Sequence, residues 1–204
     1  MKRLLVLMTV VALSGCAVPP VPPERFFRLH DPVDVAPANP ALPGQLVVQA
    51  PAVEGIYNER AVIYSRGPHH RELRQYHYKH WLAPPARLVQ DYLVAFLRRG
   101  ASASRVVRGY GDGYTDHRVS GHLLAFEQRL EGQRRAVLVD LELAVTPPGE
   151  ERPALIRRYT ESVDVVGETM ADTVKAFEKA LHTIASGFAT DLAGLARAGA
   201  GKNK

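Results

Sequence analysis

The chain has 204 residues, of which 46% are apolar and 23% charged, and a formal net charge of +5 at pH 7. That apolar share excludes a wholly disordered chain, and the length suits one domain or one domain with extensions. The charge is too small to argue for nucleic acid, and Lys2 and Arg3 contribute part of it from a segment read below as a removable leader.

The chain opens with Lys2 and Arg3, then an uncharged, mostly apolar run from Leu4 to Leu13. This is the pattern of a secretory signal, and the run is too short to cross a hydrocarbon core, which needs about 20 residues. Leu13-Ser14-Gly15-Cys16 follows, and Cys16 is the only cysteine. The tetrapeptide resembles the lipobox of bacterial lipoproteins. The resemblance implies a diacylglyceryl thioether on Cys16, cleavage before it, and acylation of the new amine. The bland alternative is a secreted protein with a free cysteine. Two or more acyl chains on one residue anchor stably, where a single chain binds weakly. Residue 17 is Ala rather than Asp. By analogy with enterobacterial lipoproteins, this points to the outer membrane, facing the periplasm. With Cys16 lipidated no thiol remains for a disulfide, and no second apolar run reaches spanning length.

Residues 17–23 carry four prolines in seven positions, which favours an extended spacer or a disordered leader. Arg25 to Leu29 reads as a short strand. Residues 31–45 are Pro- and Gly-rich and read as a loop. Leu46–Val53 and Ala61–Tyr64 read as strands, and Leu73–Tyr78 as a third that forms a hairpin with 61–64 across Gly67-Pro68. Residues 84–100 show an apolar stripe at Leu88, Val89, Tyr92, Leu93, Phe96 and Leu97, with Pro84 and Pro85 at the start and Gly100 at the stop. Residues 105–107 suit a short strand. His117–Leu130 and Arg134–Thr146 suit two long strands, and Ile156–Val165 a more polar one nearer an edge. A last helix starts near Thr169, where Thr169 to Asp172 resembles a capping box. It keeps one apolar face from Met170 to Leu195 and then frays through Gly194, Gly199 and Gly201.

This order predicts an α+β fold: a two-layer domain with a mainly antiparallel sheet and two long helices on one face. The expected organisation is a leader at 1–15, a lipidated Cys16 with a Pro-rich tether at 16–24, a domain at 25–195 and a flexible tail at 196–204.

Few constellations point to chemistry. His69, His70, His77 and His80 are close in sequence but match no zinc spacing, and a solvated loop and strand account for them. Gly109-Tyr110-Gly111-Asp112-Gly113 lacks the spacing of a dinucleotide loop, a Walker loop or an EF-hand, and reads as a turn. Ser120 and His122 share a strand face, but there is no nucleophile elbow, and Asp140 or Asp164 would have to complete a triad from outward-facing positions. No catalytic residue, metal ligand or cofactor is expected beyond the covalent lipid. Trp81, the only tryptophan, precedes the first helix. Packing of the helix start is its simpler role, and a partner-facing groove the sharper one.

The ordered set of features resembles the ABC-type transport auxiliary lipoproteins of the paraquat-inducible protein C type. The likeness runs from Cys16 through Phe26-Phe27-Arg28-Leu29, Leu46-Val47-Val48 with Pro51 and Val53, and Tyr57 to Tyr64. It continues into Tyr76-His77-Tyr78-Lys79-His80-Trp81 before Ala83-Pro84 and a long helix, and covers residues 16–190. Two departures are Phe26-Phe27 for a Tyr pair and Leu82-Ala83-Pro84-Pro85 for a more acidic stretch. The resemblance implies a non-catalytic outer-membrane component that works with a periplasmic mammalian-cell-entry-domain protein and an inner-membrane ABC transporter, moving phospholipid or other hydrophobic molecules. Trp81, Tyr76 and Tyr78 are the candidate partner contacts, and a homo-oligomer is left open. Two other classes remain as alternatives: an outer-membrane assembly lipoprotein that stabilises a barrel protein, and a lipid or peptidoglycan hydrolase, which lacks a nucleophile motif.

Overall fold

A computed structural model describes residues 21–39, 41–109 and 116–202. Cys16 and residues 110–113 of the glycine-rich loop lie outside the described residues. Nine strands and two helices follow in the order β1 (Arg25–Phe27), β2 (Leu42–Val48), β3 (Ala52–Val53), a 3-10 turn (Gly55–Asn58), β4 (Ala61–Arg66), β5 (Leu73–Trp81), α1 (Pro85–Arg99), β6 (Ala103–Arg108), β7 (His117–Glu131), β8 (Arg134–Thr146), β9 (Leu155–Asp164) and α2 (Met170–Lys202).

All nine strands join one sheet, organised on β7. One side of β7 pairs with β8 along its whole length, antiparallel. Its other side is shared in turn by three parallel strands. Leu46–Val48 meet His117–Val119, Ala52 and Val53 meet His122 and Leu123, and Ile63–Arg66 meet Glu127–Leu130. β6 extends the sheet from β2, in parallel, and β5 and then β1 extend it from β4. Among the described residues β9 pairs only with β8, which makes it an edge as expected.

The fold is α+β, but the sheet is mixed rather than mainly antiparallel. The hairpins β4–β5 and β7–β8–β9 are antiparallel because short turns join them. β2, β3 and β4 run the same way because the chain advances along a single edge of β7. α1 then carries the chain back so that β6 runs parallel to β2.

The helices obey the expected spacing. α1 buries Leu88, Val89, Tyr92, Leu93, Phe96 and Leu97, and α2 buries Val174, Phe177, Leu181, Ile184, Phe188 and Leu192, all in one continuous core. The helices also touch each other. The Tyr92 hydroxyl donates to the Glu178 carbonyl at 3.3 Å, and Phe96 meets the His182 ring edge-on at 5.2 Å. The Gln90 side chain is fully buried and donates Nε2–H to the Val48 and Gly109 carbonyls, tying α1 to the sheet. Thr169 and Asp172 form a reciprocal cap at the start of α2: Thr169 N–H donates to Asp172 Oδ2, and Asp172 N–H to Thr169 Oγ1.

Two helix ends differ from expectation. Gly100 follows α1 with an ordinary φ of −76°, and the left-handed residue is Ala101, φ 47°. A side chain at Gly100 would sit 3.2 Å from the Ala36 carbonyl, so close approach of the 31–39 loop, not backbone sign, explains this glycine. α2 also does not end near Gly194 but continues to Lys202.

Candidate functional site

The segment that carries the family resemblance folds as β1, β5 and the start of α1. Arg25, Phe26 and Phe27 lie opposite Lys79, His80 and Trp81. Between the pairs Ala61–His80 and Ile63–Gln75 the β4–β5 register shifts, so residues 76–79 bulge from the ladder. A bulge re-aims side chains, and it is here that the aromatic residues diverge.

Trp81 points inward and is 0% exposed. Its ring lies 5.4 Å from Phe126 and 5.3 Å from Phe177, and Phe126 stacks on Phe177 at 4.3 Å. Trp81 is therefore the centre of an aromatic core cluster and presents no surface to a partner. A tryptophan that closes a strand just before a proline-started helix fills the gap between sheet and helix.

Tyr76 is half-buried. Its hydroxyl donates to Gln128 Oε1 at 2.9 Å, and its ring lies 4.4 Å from Tyr64. Burial is the main cause that raises its pKa. Lys79 Nζ stands 4.1 Å above the Tyr76 ring, and the Arg66 guanidinium 5.4 Å from the Tyr64 ring. Two tyrosines are thus held between two cations.

Tyr78 faces solvent at 39% exposure, with Phe26 at 52% and Leu82 at 55% on or next to the same two strands. Phe26 packs against the His80 ring at 5.6 Å and under the Arg60 guanidinium at 5.5 Å. Among the described residues β1 pairs only with β5, so its other edge is open. Exposed aromatic side chains beside an open strand edge make a surface suited to a protein partner. Of the three contact residues expected from sequence, Tyr78 lies on that surface, Tyr76 behind it and Trp81 in the core.

A second polar group lies around β7, unseen in the sequence. Glu127 is buried in mid-sheet. It accepts from the Tyr57 hydroxyl at 2.5 Å, the Ser65 hydroxyl at 3.3 Å and Arg129 Nε at 3.0 Å. His70 Nδ1 is 2.9 Å from Ser65 Oγ. This is not the relay of a serine hydrolase. The carboxylate and the imidazole both contact the serine instead of each other, and Ser65 is fully buried. Nothing in the sequence brings Tyr57, Ser65 and Glu127 together, because the contacts span 62 and 70 residues.

Several other residues singled out from sequence have structural roles. Gly121, between Ser120 and His122, is needed for packing, since a Cβ there would lie 2.0 Å from the Glu142 carbonyl. His122 Nδ1 lies 3.6 Å from Glu142 Oε1. Asp140 accepts from Arg158 Nε at 2.8 Å and Thr160 Oγ1 at 3.0 Å, and Asp164 from Arg134 Nε at 2.9 Å. His80 Nε2 is 3.1 Å from the His77 carbonyl. Among the described residues no three His, Cys, Asp or Glu side chains converge as metal ligands. No described helix is long and apolar enough to cross a membrane.

The family model of the ABC-type transport auxiliary lipoprotein component matches residues 27–189. The chain belongs to this family. The match runs from the end of β1 to residue 189, beyond the middle of α2, and takes in the β5 bulge, Trp81 and all of α1. The fold is similar to a solved protein of Xanthomonas campestris assigned to family DUF330. That pair gives a TM-score of 0.71 at 20% identity, over 88% of this chain and 99% of that one. A second solved structure, of an uncharacterised protein, gives 0.60 at 16% identity, over 86% and 98%. At these identities the likeness is one of fold. No curated protein sequence matches the chain.

Proposed function

We propose that this auxiliary lipoprotein is a non-enzymatic docking component, anchored through acylated Cys16 to the periplasmic face of the outer membrane. Its proposed partner is a periplasmic mammalian-cell-entry-domain protein of an ABC transport system that moves phospholipid or another hydrophobic molecule. Membership of the transport auxiliary family supports a transporter partner. The lipobox-like Leu13-Ser14-Gly15-Cys16 followed by Ala17 supports the anchor and the membrane. The observation that carries the docking role is the exposed set Phe26, Tyr78 and Leu82 beside the open edge of β1. A rigid core cluster around Trp81 holds these strands in place, so the surface is set before a partner arrives.

The test is photo-crosslinking in cells from positions 26 and 78, with position 152 as a control, followed by identification of the captured protein. Capture of a mammalian-cell-entry-domain protein from 26 or 78 and not from 152 is the expected result. Capture of only a barrel protein would move the function to barrel assembly. Hydrolysis of lipid or glycan by the purified protein, abolished by one substitution, would make it an enzyme.

A further inference from the structure

The start of α2 and the neighbouring ends of β4, β5, β7 and β8 enclose a cavity of about 270 Å³. Its wall includes Arg66, Lys79 and Arg135, with Tyr76, Gln128 and Thr169. These three cations come from three strands, and among the described residues none has a carboxylate partner. Arg66 and Lys79 lie over tyrosine rings, and Arg135 Nη1 donates to the Glu168 backbone carbonyl at 2.8 Å. Glu168 also lines the cavity but forms no ion pair among the described residues. Elsewhere the pattern is mixed: Arg60 and Arg98 also donate to backbone carbonyls, at 3.2 and 2.7 Å. Arg108, Arg129, Arg134, Arg157 and Arg158 each hold an Asp or Glu. The crowding of like charge is felt by Lys79: burial first, then Arg25 and Arg135, lower its pKa. Like charges brought together in this way favour an anion between them.

We propose that this cavity binds a phosphate group. A tetrahedral oxyanion offers several acceptor oxygens in different directions, which suits donors arriving from three strands. Two of the three donors are guanidiniums, whose planar forks match phosphate geometry, and the third is a compact ammonium. The start of α2 adds little to these donors, because its Thr169, Asp172 and Thr173 N–H groups are already bonded within the cap. A carboxylate, with two oxygens in one plane, would satisfy one arginine and leave the others unmatched. The phosphate has two chemical sources: a phospholipid headgroup, where it is a diester, or a soluble phosphate. This site is separate from the exposed aromatic surface and does not depend on the docking role.

Calorimetric titration of the full-length protein in neutral detergent tests the proposal, with inorganic phosphate in one arm and glycerophosphoglycerol in the other, at constant ionic strength in chloride. Saturable binding is expected. It should weaken about tenfold or more in Arg66→Gln and in the double variant Lys79→Gln/Arg135→Gln, the loss that one or more charge-assisted hydrogen bonds corresponds to. Arg105→Gln, on β6, should bind as wild type. Arg66 is exposed, so its variant still reads the site if the double variant fails to fold. Tighter binding of the diester assigns the lipid headgroup, and tighter binding of inorganic phosphate a soluble source; either keeps the site. Three results would overturn it: no binding above the chloride background, binding unchanged in Arg66→Gln, or tighter binding of hexaglutamate than of both phosphates. The last would give the cavity to an acidic chain instead.

Discussion

Tyr57 donates its hydroxyl to Glu127 at 2.5 Å, from a 3-10 turn to the middle of β7 across 70 residues of sequence. Burial, then the Glu127 bond, raise the phenol well above the usual tyrosine value near 10. The folded form therefore keeps this proton where the unfolded chain releases it. Stability from the pair is complete below about pH 10 and falls as pH rises beyond it. Tyr92, pushed up to about 12 by burial, and Tyr159, raised by burial and Asp191, act with the same sign. Urea unfolding followed across the alkaline range should show a falling midpoint above about pH 10, with a shallower fall in Tyr57→Phe. A midpoint flat across that range would show that these phenols titrate normally.

Trp81, Phe126 and Phe177 join sheet to helix in one aromatic cluster. Phe177→Ala removes the ring that contacts both others and should cost about 3–5 kcal/mol. Phe177→Asp should cost more, since it buries an unpaired charge. As the sole tryptophan, Trp81 reports the result directly through its fluorescence during denaturation. An unchanged midpoint in Phe177→Asp would place that helix face in solvent.

Asp140 has its pKa lowered, chiefly by the hydrogen bond from Arg158, with Thr160 adding to it. A depressed carboxyl contributes stability that is present above its ordinary value near 4 and lost as pH falls below that toward the lower value of the folded state. Arg158→Leu should lower stability at neutral pH and flatten the acid limb of the pH–stability curve. Acid titration of the two proteins by circular dichroism checks this. Parallel acid limbs would remove the pair from the account.

Lipid attachment has a simple readout. The mature chain should begin at Cys16 and carry acyl mass, and Cys16→Ala should leave the membrane fraction. Intact mass spectrometry and fractionation decide it. A mature end elsewhere, or a variant still firmly membrane-bound, would require another anchor.

The helices and the β7–β9 meander were legible because their signals are local. Residues 85–99 repeat at helical spacing, Thr169 and Asp172 cap within one turn, and Val137 to Val145 alternate along one strand. Strand direction was not legible: Leu46–Val48 show the same apolar run whether they meet His117–Val119 parallel or antiparallel. That choice is made by connections on both sides of a strand 70 residues further on. The half-burial of Tyr76 and exposure of Tyr78, two residues apart and so on one face of a regular strand, depend on the β5 bulge, which has no sequence signal of its own. The cationic cavity was hidden for the same reason. Arg66, Lys79 and Arg135 look like scattered solvated charges until β4, β5 and β8 bring them together.

The placement of β7 sets an order of assembly. β2, β3 and β4 all lie along one edge of a strand that begins at His117. As the chain is made from its N-terminus, the β4–β5 hairpin and α1 can form early, because their contacts are short-range. The three parallel pairings must wait until residues 117–131 exist, and closing them spans loops of about 60–70 residues. Until then β2 to β4 have unpaired backbone along that side, the condition in which strands find wrong partners. A nascent or exported chain of this protein is therefore most open to aggregation while Glu131 is still to emerge. A truncation before His117 keeps the β4–β5 and β2–β6 pairs but removes the strand along which β2, β3 and β4 align.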